Sequence, residues 1–233
     1  MKDHKSILCY GDSLTWGWIP VKESSPTLRY PYAQRWTGAM AAELGAGFNI
    51  VEEGLSARTT SADDPNDTRL NGSSYLPSAI ASHLPLDLVI VMLGTNDTKS
   101  YFHRTPYDIA TGMAKLVGQI LTGGGGIGTP YPAPKALIVA PPPLGAMPDP
   151  FFAGMFDGGL EKTKELSKQY QALANFMKVD FLDAGKVVTT DGCDGIHFTV
   201  ENNLALSKAI ASKVKEIFAR EGANKRGVAL EPA

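Results

Sequence analysis

Cysteine is scarce in this chain, which has only two cysteines among its 233 residues. Cys9 and Cys193 are too few for a disulfide framework, and neither belongs to a Cys/His cluster with the spacing of a zinc site. We therefore expect no metal and a fold that is stable in a reducing compartment.

Long apolar runs are also missing. No segment approaches the roughly 18 consecutive apolar residues of a membrane span, and the run from Ile7 to Tyr10 is too short for the apolar region of a signal peptide. We expect a cytoplasmic protein that is not a membrane protein.

An excess of charge of either sign is absent, because 22 Lys and Arg residues face 24 Asp and Glu residues, for a net charge of −2. Nothing in the overall charge would attract nucleic acid or anionic lipid, so we predict neither as a partner. Hydrophobic residues make up 43% of the chain, enough for the core of one large domain. We predict a single domain over residues 1–221, followed by a mobile tail at 222–233 that shows no apolar periodicity.

Five short apolar runs are typical of strands, and segments with helical spacing alternate with them. This order predicts right-handed crossovers and a three-layer α/β/α sandwich around a five-stranded parallel sheet. The runs are Ser6 to Tyr10, Phe48 to Val51, Leu86 to Leu93, Lys135 to Ala140 and Val179 to Leu182. The helical segments carry their apolar residues at Trp36, Met40 and Leu44; at Ile109, Met113, Leu116 and Ile120; at Leu166, Tyr170, Leu173 and Met177; and at Leu206, Ile210, Val214 and Phe218.

Ligand sites of such sheets lie beyond the carboxyl ends of the strands, so the loops after the strands are the places to look for chemistry. Gly11-Asp12-Ser13-Leu14 follows the first strand and would put the Ser13 hydroxyl at that edge. A helix N-cap is the more common use of such a serine, so the motif needs partners. Two irregular stretches, Ser56 to Tyr75 and Ala140 to Pro150, are long enough to be walls of a site.

Three other loops could supply such partners. Asp194 and His197, three residues apart before the last helix, could form a base with its orienting carboxylate, although both could instead be capping groups. Asn96, after the most apolar strand, could present an amide donor or simply make an Asx-turn. The loop from Glu53 to Thr59 could present backbone N–H groups. Four loops thus offer a nucleophile, a histidine base with its carboxylate, a side-chain amide donor and backbone N–H donors. Together these groups favour acyl transfer.

These blocks resemble, in order and spacing, those of the GDSL or SGNH hydrolase family. The resemblance runs from about Ile7 to Phe218 and rests on Gly11-Asp12-Ser13-Leu14, Gly94-Thr95-Asn96-Asp97 and Asp194-Gly195-Ile196-His197. The longer strings that begin at Gly11 and at Glu52 look like the arylesterase and acyltransferase (perhydrolase) branch. The resemblance implies the flavodoxin-like fold of that family, no cofactor, a small-molecule ester as substrate, and a homo-oligomer, possibly an octamer.

It also implies a role for each site residue. Ser13 would attack the ester carbonyl, His197 would take its proton, and Asp194 would orient the imidazole. The oxyanion would be bound by the N–H groups of Ser13 and Ala57 and by the Asn96 amide. The wider family usually has Gly at the position of Ala57, which can donate only if its backbone conformation is accessible.

The substrate pocket is predicted from apolar and flanking residues near these blocks, although core packing would explain the apolar ones equally well. A dry pocket would favour short acyl groups and transfer to alcohols or hydrogen peroxide over hydrolysis. The predicted pocket residues are Leu14, Trp16, Thr95, Phe152, Met155, Phe156 and Ile196.

Two other classes of function stay open on the residues alone. A non-catalytic carbohydrate- or lipid-binding module would have the pocket without a reactive serine, and a flavodoxin-like nucleotide binder would use the first loop for phosphate. Gly123 to Gly128 fits a GxGxxG pattern, but it follows a helical segment and no lysine completes a P-loop. We therefore interpret it as a flexible loop.

Overall fold

A parallel sheet of five strands forms the centre of the molecule, in the order β2-β1-β3-β4-β5. The computed structural model describes residues 4–125 and 127–228, with side chains described as far as residue 220. The sheet, all of whose neighbouring strands pair in parallel, confirms the predicted fold class. Its strands are β1 (Lys5–Gly11), β2 (Phe48–Gly54), β3 (Leu88–Met92), β4 (Lys135–Ala140) and β5 (Asp180–Asp183).

Helices cover both faces of the sheet. They are α1 (Ser13–Trp16), α2 (Trp36–Leu44), α3 (Gly72–His83), α4 (Pro106–Thr122), α5 (Pro150–Met155), α6 (Gly159–Met177) and α7 (Val200–Val228). Helices α3, α4 and α6 pack their apolar residues on one face, while α2 and α7 pack on the other. The predicted three layers are thus present.

Strand β3 shows why the middle of the sheet is apolar on both sides. All five of its residues are buried. Val89 and Val91 belong to the core beneath α3, α4 and α6, whereas Leu88, Ile90 and Met92 belong to the core beneath α2 and α7. Successive side chains of a strand point to opposite faces of the sheet. A strand with helices packed on both faces therefore has a continuous apolar sequence.

The strand register brings the candidate loops to one edge. Gly11, the last residue of β1, pairs with Gly54 of β2 and with Met92 of β3. The three loops that follow therefore leave the sheet side by side.

Helix α3 differs from the sequence-based expectation, since its first residues belong to the stretch that we predicted to be irregular, Ser56 to Tyr75. The side chain of Asn71 caps this helix by accepting the N–H of Ser73, and Leu76 and Ile80 bury its inner face. Gly, Ser and Pro residues in its sequence resemble a loop and masked the helical spacing.

The last helix extends past the predicted domain boundary at residue 221. Helix α7 continues through residues 222–228, which we predicted to begin the tail, while residues 229–233 lie outside the described part of the chain. In the described ranges, no helix combines the length and hydrophobicity needed to cross a membrane.

Candidate active site

Ser13 begins the short helix α1 directly after β1. Asp12 caps this helix, because its Oδ1 accepts the N–H of Leu14 at 2.9 Å. A Cβ on Gly11 would lie only 2.1 Å from Oγ1 of Thr15, so the tight turn needs a residue without a side chain. Ser13 is buried, at 7% exposure, with its hydroxyl at the edge of the sheet.

Two hydrogen bonds join Ser13, His197 and Asp194 in a chain. Oγ of Ser13 lies 2.8 Å from Nε2 of His197, and Nδ1 of His197 lies 2.8 Å from Oδ2 of Asp194. The two ring nitrogens thus face two different partners, as a base with its orienting carboxylate requires. Residues 184 positions apart in sequence meet here.

Asp194 is held in its charged form although it is fully buried. Burial raises its pKa, but hydrogen bonding and charge attraction from the His197 side chain outweigh this, so the pKa lies below the ordinary value. The backbone N–H groups of Ile196 and His197 also donate to Oδ1, each at 2.9 Å. The carboxylate is therefore ionised at neutral pH and fixed in orientation.

Trp18 is a site residue that the sequence did not reveal. Its indole stacks on the His197 imidazole, with ring centroids 5.1 Å apart and an interplanar angle of 16°. Trp18 lies beyond α1, where an isolated antiparallel bridge to Arg29 holds the backbone. The sequence places it five residues after Ser13 but gives no sign that it meets a histidine near the other end of the chain.

Asn96 starts a 3-10 turn after β3. Its Nδ2 donates to Oδ2 of Asp12 at 3.3 Å and to the carbonyl of Arg58 at 3.2 Å. Since both partners are acceptors, they select the nitrogen rather than the oxygen of the amide for this side. Asn96 also borders the cavity that Ser13 lines.

Ala57 adopts the left-handed backbone conformation, with φ of 69°. This conformation favours glycine and costs other residues roughly 1–2 kcal/mol, which explains why a glycine would suit the position. Within the described residues, neither the Ala57 N–H nor the Ser13 N–H donates a hydrogen bond. Both backbone donors are therefore free to bind an oxygen atom.

Buried carboxylates lie below these loops. Burial raises the pKa of Asp12 to about 7, with a smaller contribution from the charge of Asp97. Burial likewise raises the pKa of Asp97 to about 6, although Thr60 and Arg104 donate to it. The Asp97–Arg104 ion pair, at 2.7 Å, ties the Asn96 turn to the following segment.

A cavity of about 230 Å³ opens in front of Ser13. Of the predicted pocket residues, four line it, namely Phe152, Met155, Phe156 and Ile196. Trp18, Ser56 and Lys99 line it as well and were not predicted. Ser56 and Lys99 could have been predicted from their positions in the sequence, because Ser56 precedes Ala57 and Lys99 follows Asn96 by three residues.

The other three predicted pocket residues do not line this cavity. Leu14 is 3% exposed and belongs to the core beneath α2 and α7, because the next position of a helix points about 100° away from Ser13. Trp16 packs against Trp18 and the Arg29 guanidinium. Thr95 is buried beside Asn96. The prediction of these three as lining residues is not supported by the geometry.

A larger cavity of about 440 Å³ lies on the other side of the same loop. Leu55 and Arg58 line it, whereas Ser56 and Ala57 line the cavity at Ser13. None of Ser13, Asp194 and His197 borders this larger cavity, so it is not the candidate active site.

A buried serine hydrogen-bonded to a histidine, a carboxylate behind that histidine and free N–H donors nearby define a site of the serine hydrolase class. In residues 4–125 and 127–228, no group of three or more His, Cys, Asp or Glu side chains could hold a metal ion. The chemistry open to these side chains is proton transfer and nucleophilic attack by a hydroxyl.

The sequence comparison agrees with this class. Residues 9–202 match the model of the GDSL-like lipase/acylhydrolase family, and the chain belongs to that family. No curated protein matches the sequence. The predicted family, and the prediction that the protein is a hydrolase, are confirmed.

Solved structures of similar proteins add to this finding. A carbohydrate acetylesterase from Sinorhizobium meliloti is 74% identical to this chain and superposes with a TM-score of 0.91. The match covers 91% of this chain and 99% of the acetylesterase chain. The native aryl esterase of M. smegmatis is 63% identical over the same shares, with a TM-score of 0.90. An arylesterase described as putative, from Agrobacterium tumefaciens, is 36% identical, with 91% of this chain and 99% of its own covered and a TM-score of 0.79.

Proposed function

We propose that the protein is a serine esterase in which Ser13 is the nucleophile, His197 the general base and Asp194 the group that orients the imidazole. The continuous path of two hydrogen bonds, each 2.8 Å long, from Ser13 through His197 to Asp194 is the observation that carries the proposal. In the first step His197 takes the Ser13 proton as Oγ attacks the ester carbonyl. The protonated imidazole then returns that proton to the departing alcohol, which leaves an acyl group on Ser13.

Three donors are proposed to bind the oxyanion that forms on attack. The N–H groups of Ser13 and Ala57 are uncommitted within the described residues. The Asn96 side chain lines the same cavity, and its amide nitrogen donates to Asp12 and to the Arg58 carbonyl. The resting hydrogen bonds of Asn96 are long, at 3.2 and 3.3 Å. They can therefore yield to a charged oxygen, to which donors bind more strongly.

Short acyl esters are the proposed substrates. A cavity of about 230 Å³ walled by Phe152, Phe156 and Ile196 leaves room for a small acyl group. The similar structures described as an aryl esterase and as a carbohydrate acetylesterase point to acetyl esters of aryl alcohols or of sugars. Each misfit methylene should cost roughly 1–3 kcal/mol of discrimination.

Acyl transfer to an alcohol or to hydrogen peroxide is a further part of the proposal. The aromatic and apolar walls favour an organic alcohol over water as the second nucleophile. Phenyl acetate turnover at a modest alcohol concentration, with both products quantified, tests this. A product ratio that follows the molar excess of water would leave a plain esterase.

A homo-oligomer, an octamer by resemblance, and a cytoplasmic location are also proposed. Leu28 and Phe151 are large apolar residues with 76% and 72% exposure, as expected of side chains that another subunit covers. Cys9 and Cys193 are free thiols, which suits a reducing compartment. Light scattering of the purified protein and fractionation of the source cells test these two points.

A fluorophosphonate probe tests the assigned nucleophile. Ser56 lines the same cavity as Ser13 but has no hydrogen bond to His197, so it is an internal control. Peptide mapping should place the label on Ser13 alone, and Asp194→Asn should slow the labelling. A label on Ser56, or none on either serine, would contradict the proposal.

A further inference from the structure

Lys99 is a lysine inside the cavity at Ser13. It follows the Asn96–Thr98 turn and caps it, because its N–H donates to the carbonyl of Asn96. The residue is only 6% exposed. Its ammonium lies 5.9 Å from the ring centroid of Phe156, which lines the cavity too. A cationic side chain is thus enclosed in a wall that is otherwise largely apolar.

The ammonium has no direct acceptor within the described residues. No carboxylate approaches Nζ within the 4 Å of an ion pair, and no hydrogen bond from Nζ is formed there. Two of the acids whose charges act on Lys99 have other partners, since Asp64 accepts from Tyr101 and Asp97 from Arg104. Three N–H donors are therefore uncommitted in a setting where an unpaired cation is costly.

Carboxylates near Lys99 act on it through their charge without contacting its ammonium. Burial holds the pKa of Lys99 below its ordinary value, and the charges of Asp64, Asp12 and Asp97 offset this only in part. Asp97 is itself paired with Arg104. The Lys99 side chain therefore faces the cavity rather than a protein partner.

We infer that Lys99 is a specificity-determining residue that binds a carboxylate of the ester substrate in the cavity at Ser13. The inference rests on the proposed esterase function and adds a substrate class to it, namely esters that carry an anionic group on the acyl or on the alcohol side. A carboxylate would supply the acceptor that the ammonium lacks, and the charge-assisted hydrogen bonds would gain strength from the enclosed site.

Two pairs of esters with the same shape test this inference. In each pair a carboxylate is replaced by a neutral carboxamide: 4-acetoxybenzoate against 4-acetoxybenzamide, and phenyl hemisuccinate against phenyl succinamate. The kcat/KM ratio of anionic to neutral ester is measured for the wild type, Lys99→Met and Lys99→Arg. Lys164→Met, which removes an exposed lysine of α6, is the matched control.

The ratio should fall at least fivefold in Lys99→Met for one or both pairs, whereas Lys99→Arg and Lys164→Met should keep the ratio of the wild type. A change below fivefold in both pairs would overturn the inference and leave Lys99 a structural residue. Comparison of the variants cancels the different intrinsic reactivities of the esters.

Inhibition of the wild type keeps the inference testable if Lys99→Met does not fold. Succinamate and 4-hydroxybenzoate should compete with phenyl acetate, one or both at least fivefold more tightly than the neutral succinamide and 4-hydroxybenzamide. Equal inhibition by acid and amide in both pairs would overturn the inference. If phenyl acetate is not hydrolysed at all, the proposed function fails, and calorimetric titration of the same four compounds still tests Lys99.

Discussion

The indole of Trp18 and the imidazole of His197 lie nearly parallel, with ring centroids 5.1 Å apart. Stacking on one face and the Asp194 hydrogen bond at Nδ1 together restrict both tilt and rotation of the imidazole. His197 is therefore fixed by two neighbours from opposite ends of the chain.

Removal of the stacked ring should loosen the general base. Trp18→Ala should lower kcat for phenyl acetate by about two- to tenfold, as expected from the roughly 0.5–1.5 kcal/mol of an aromatic pair. Trp18→Phe keeps a ring on the imidazole and should retain most of the activity. Equal kcat values for Trp18→Ala and the wild type would show that the stacking does not position His197.

Replacement of the orienting carboxylate should affect catalysis more strongly. Asp194→Asn keeps the shape but can no longer hold the imidazole in the tautomer that accepts the Ser13 proton. We expect kcat to fall by about 10³ to 10⁴ with little change in KM. A KM defect with normal kcat would contradict the role of Asp194.

The left-handed backbone of Ala57 leads to a prediction about stability. Ala57→Gly should remove roughly 1–2 kcal/mol of backbone strain from the folded state. The greater conformational freedom of glycine should stabilise the unfolded state by about 0.5–1 kcal/mol. The free energy of unfolding should therefore rise by up to about 1.5 kcal/mol, and kcat should stay within threefold because the N–H is kept.

The matched variant is Ala57→Val, whose branched side chain is poorly tolerated at positive φ. It should lower both stability and kcat. Urea unfolding of the two variants measures the first quantity and phenyl acetate turnover the second. A valine variant as stable and active as the glycine variant would show that φ at residue 57 does not matter.

The raised pKa of Asp12 predicts a pH dependence of stability. Its pKa is about 7 in the folded protein against an ordinary 3.8, so between these values the folded state binds more protons than the unfolded state. The free energy of unfolding should then fall as pH rises from about 4 to 7. Burial of Asp97, with a folded pKa of about 6, acts in the same direction.

Asp12→Asn should flatten this decline, because an amide does not titrate. Urea unfolding at several pH values measures it, with the exposed Asp157→Asn as the control. The same slope in Asp12→Asn as in the wild type would show that Asp12 is ionised throughout this range.

Much of the fold follows from local pattern. The apolar run at β3 and the spacing of Ile109, Met113 and Leu116 in α4 are short-range signals, and both predictions are confirmed. Helix α3 was missed because glycine, serine and proline hide its period, although Leu76 and Ile80 do face the core. The motifs at Ser13 and Asn96 could be recognised because each closely follows a strand, and the motif at His197 because it lies between the last strand and the last helix.

The walls of the cavity could not be predicted as well as its motifs. Trp18 and Lys99 line the cavity through contacts with residues distant in sequence, and Leu14 turns into the core although it is next to Ser13. Whether a side chain faces a cavity depends on the packing of several elements, which sequence spacing does not encode.

Turnover of phenyl acetate by Ser13→Ala tests the central claim most directly. The purified variant should unfold in urea like the wild type, and its kcat should fall by at least about 10³-fold, since among the described residues no other hydroxyl is hydrogen-bonded to the His197 ring. Ser56→Ala, which changes a serine of the same cavity, should retain far more activity than Ser13→Ala. A folded Ser13→Ala variant that keeps more than a few per cent of wild-type kcat would show that Ser13 is not the nucleophile.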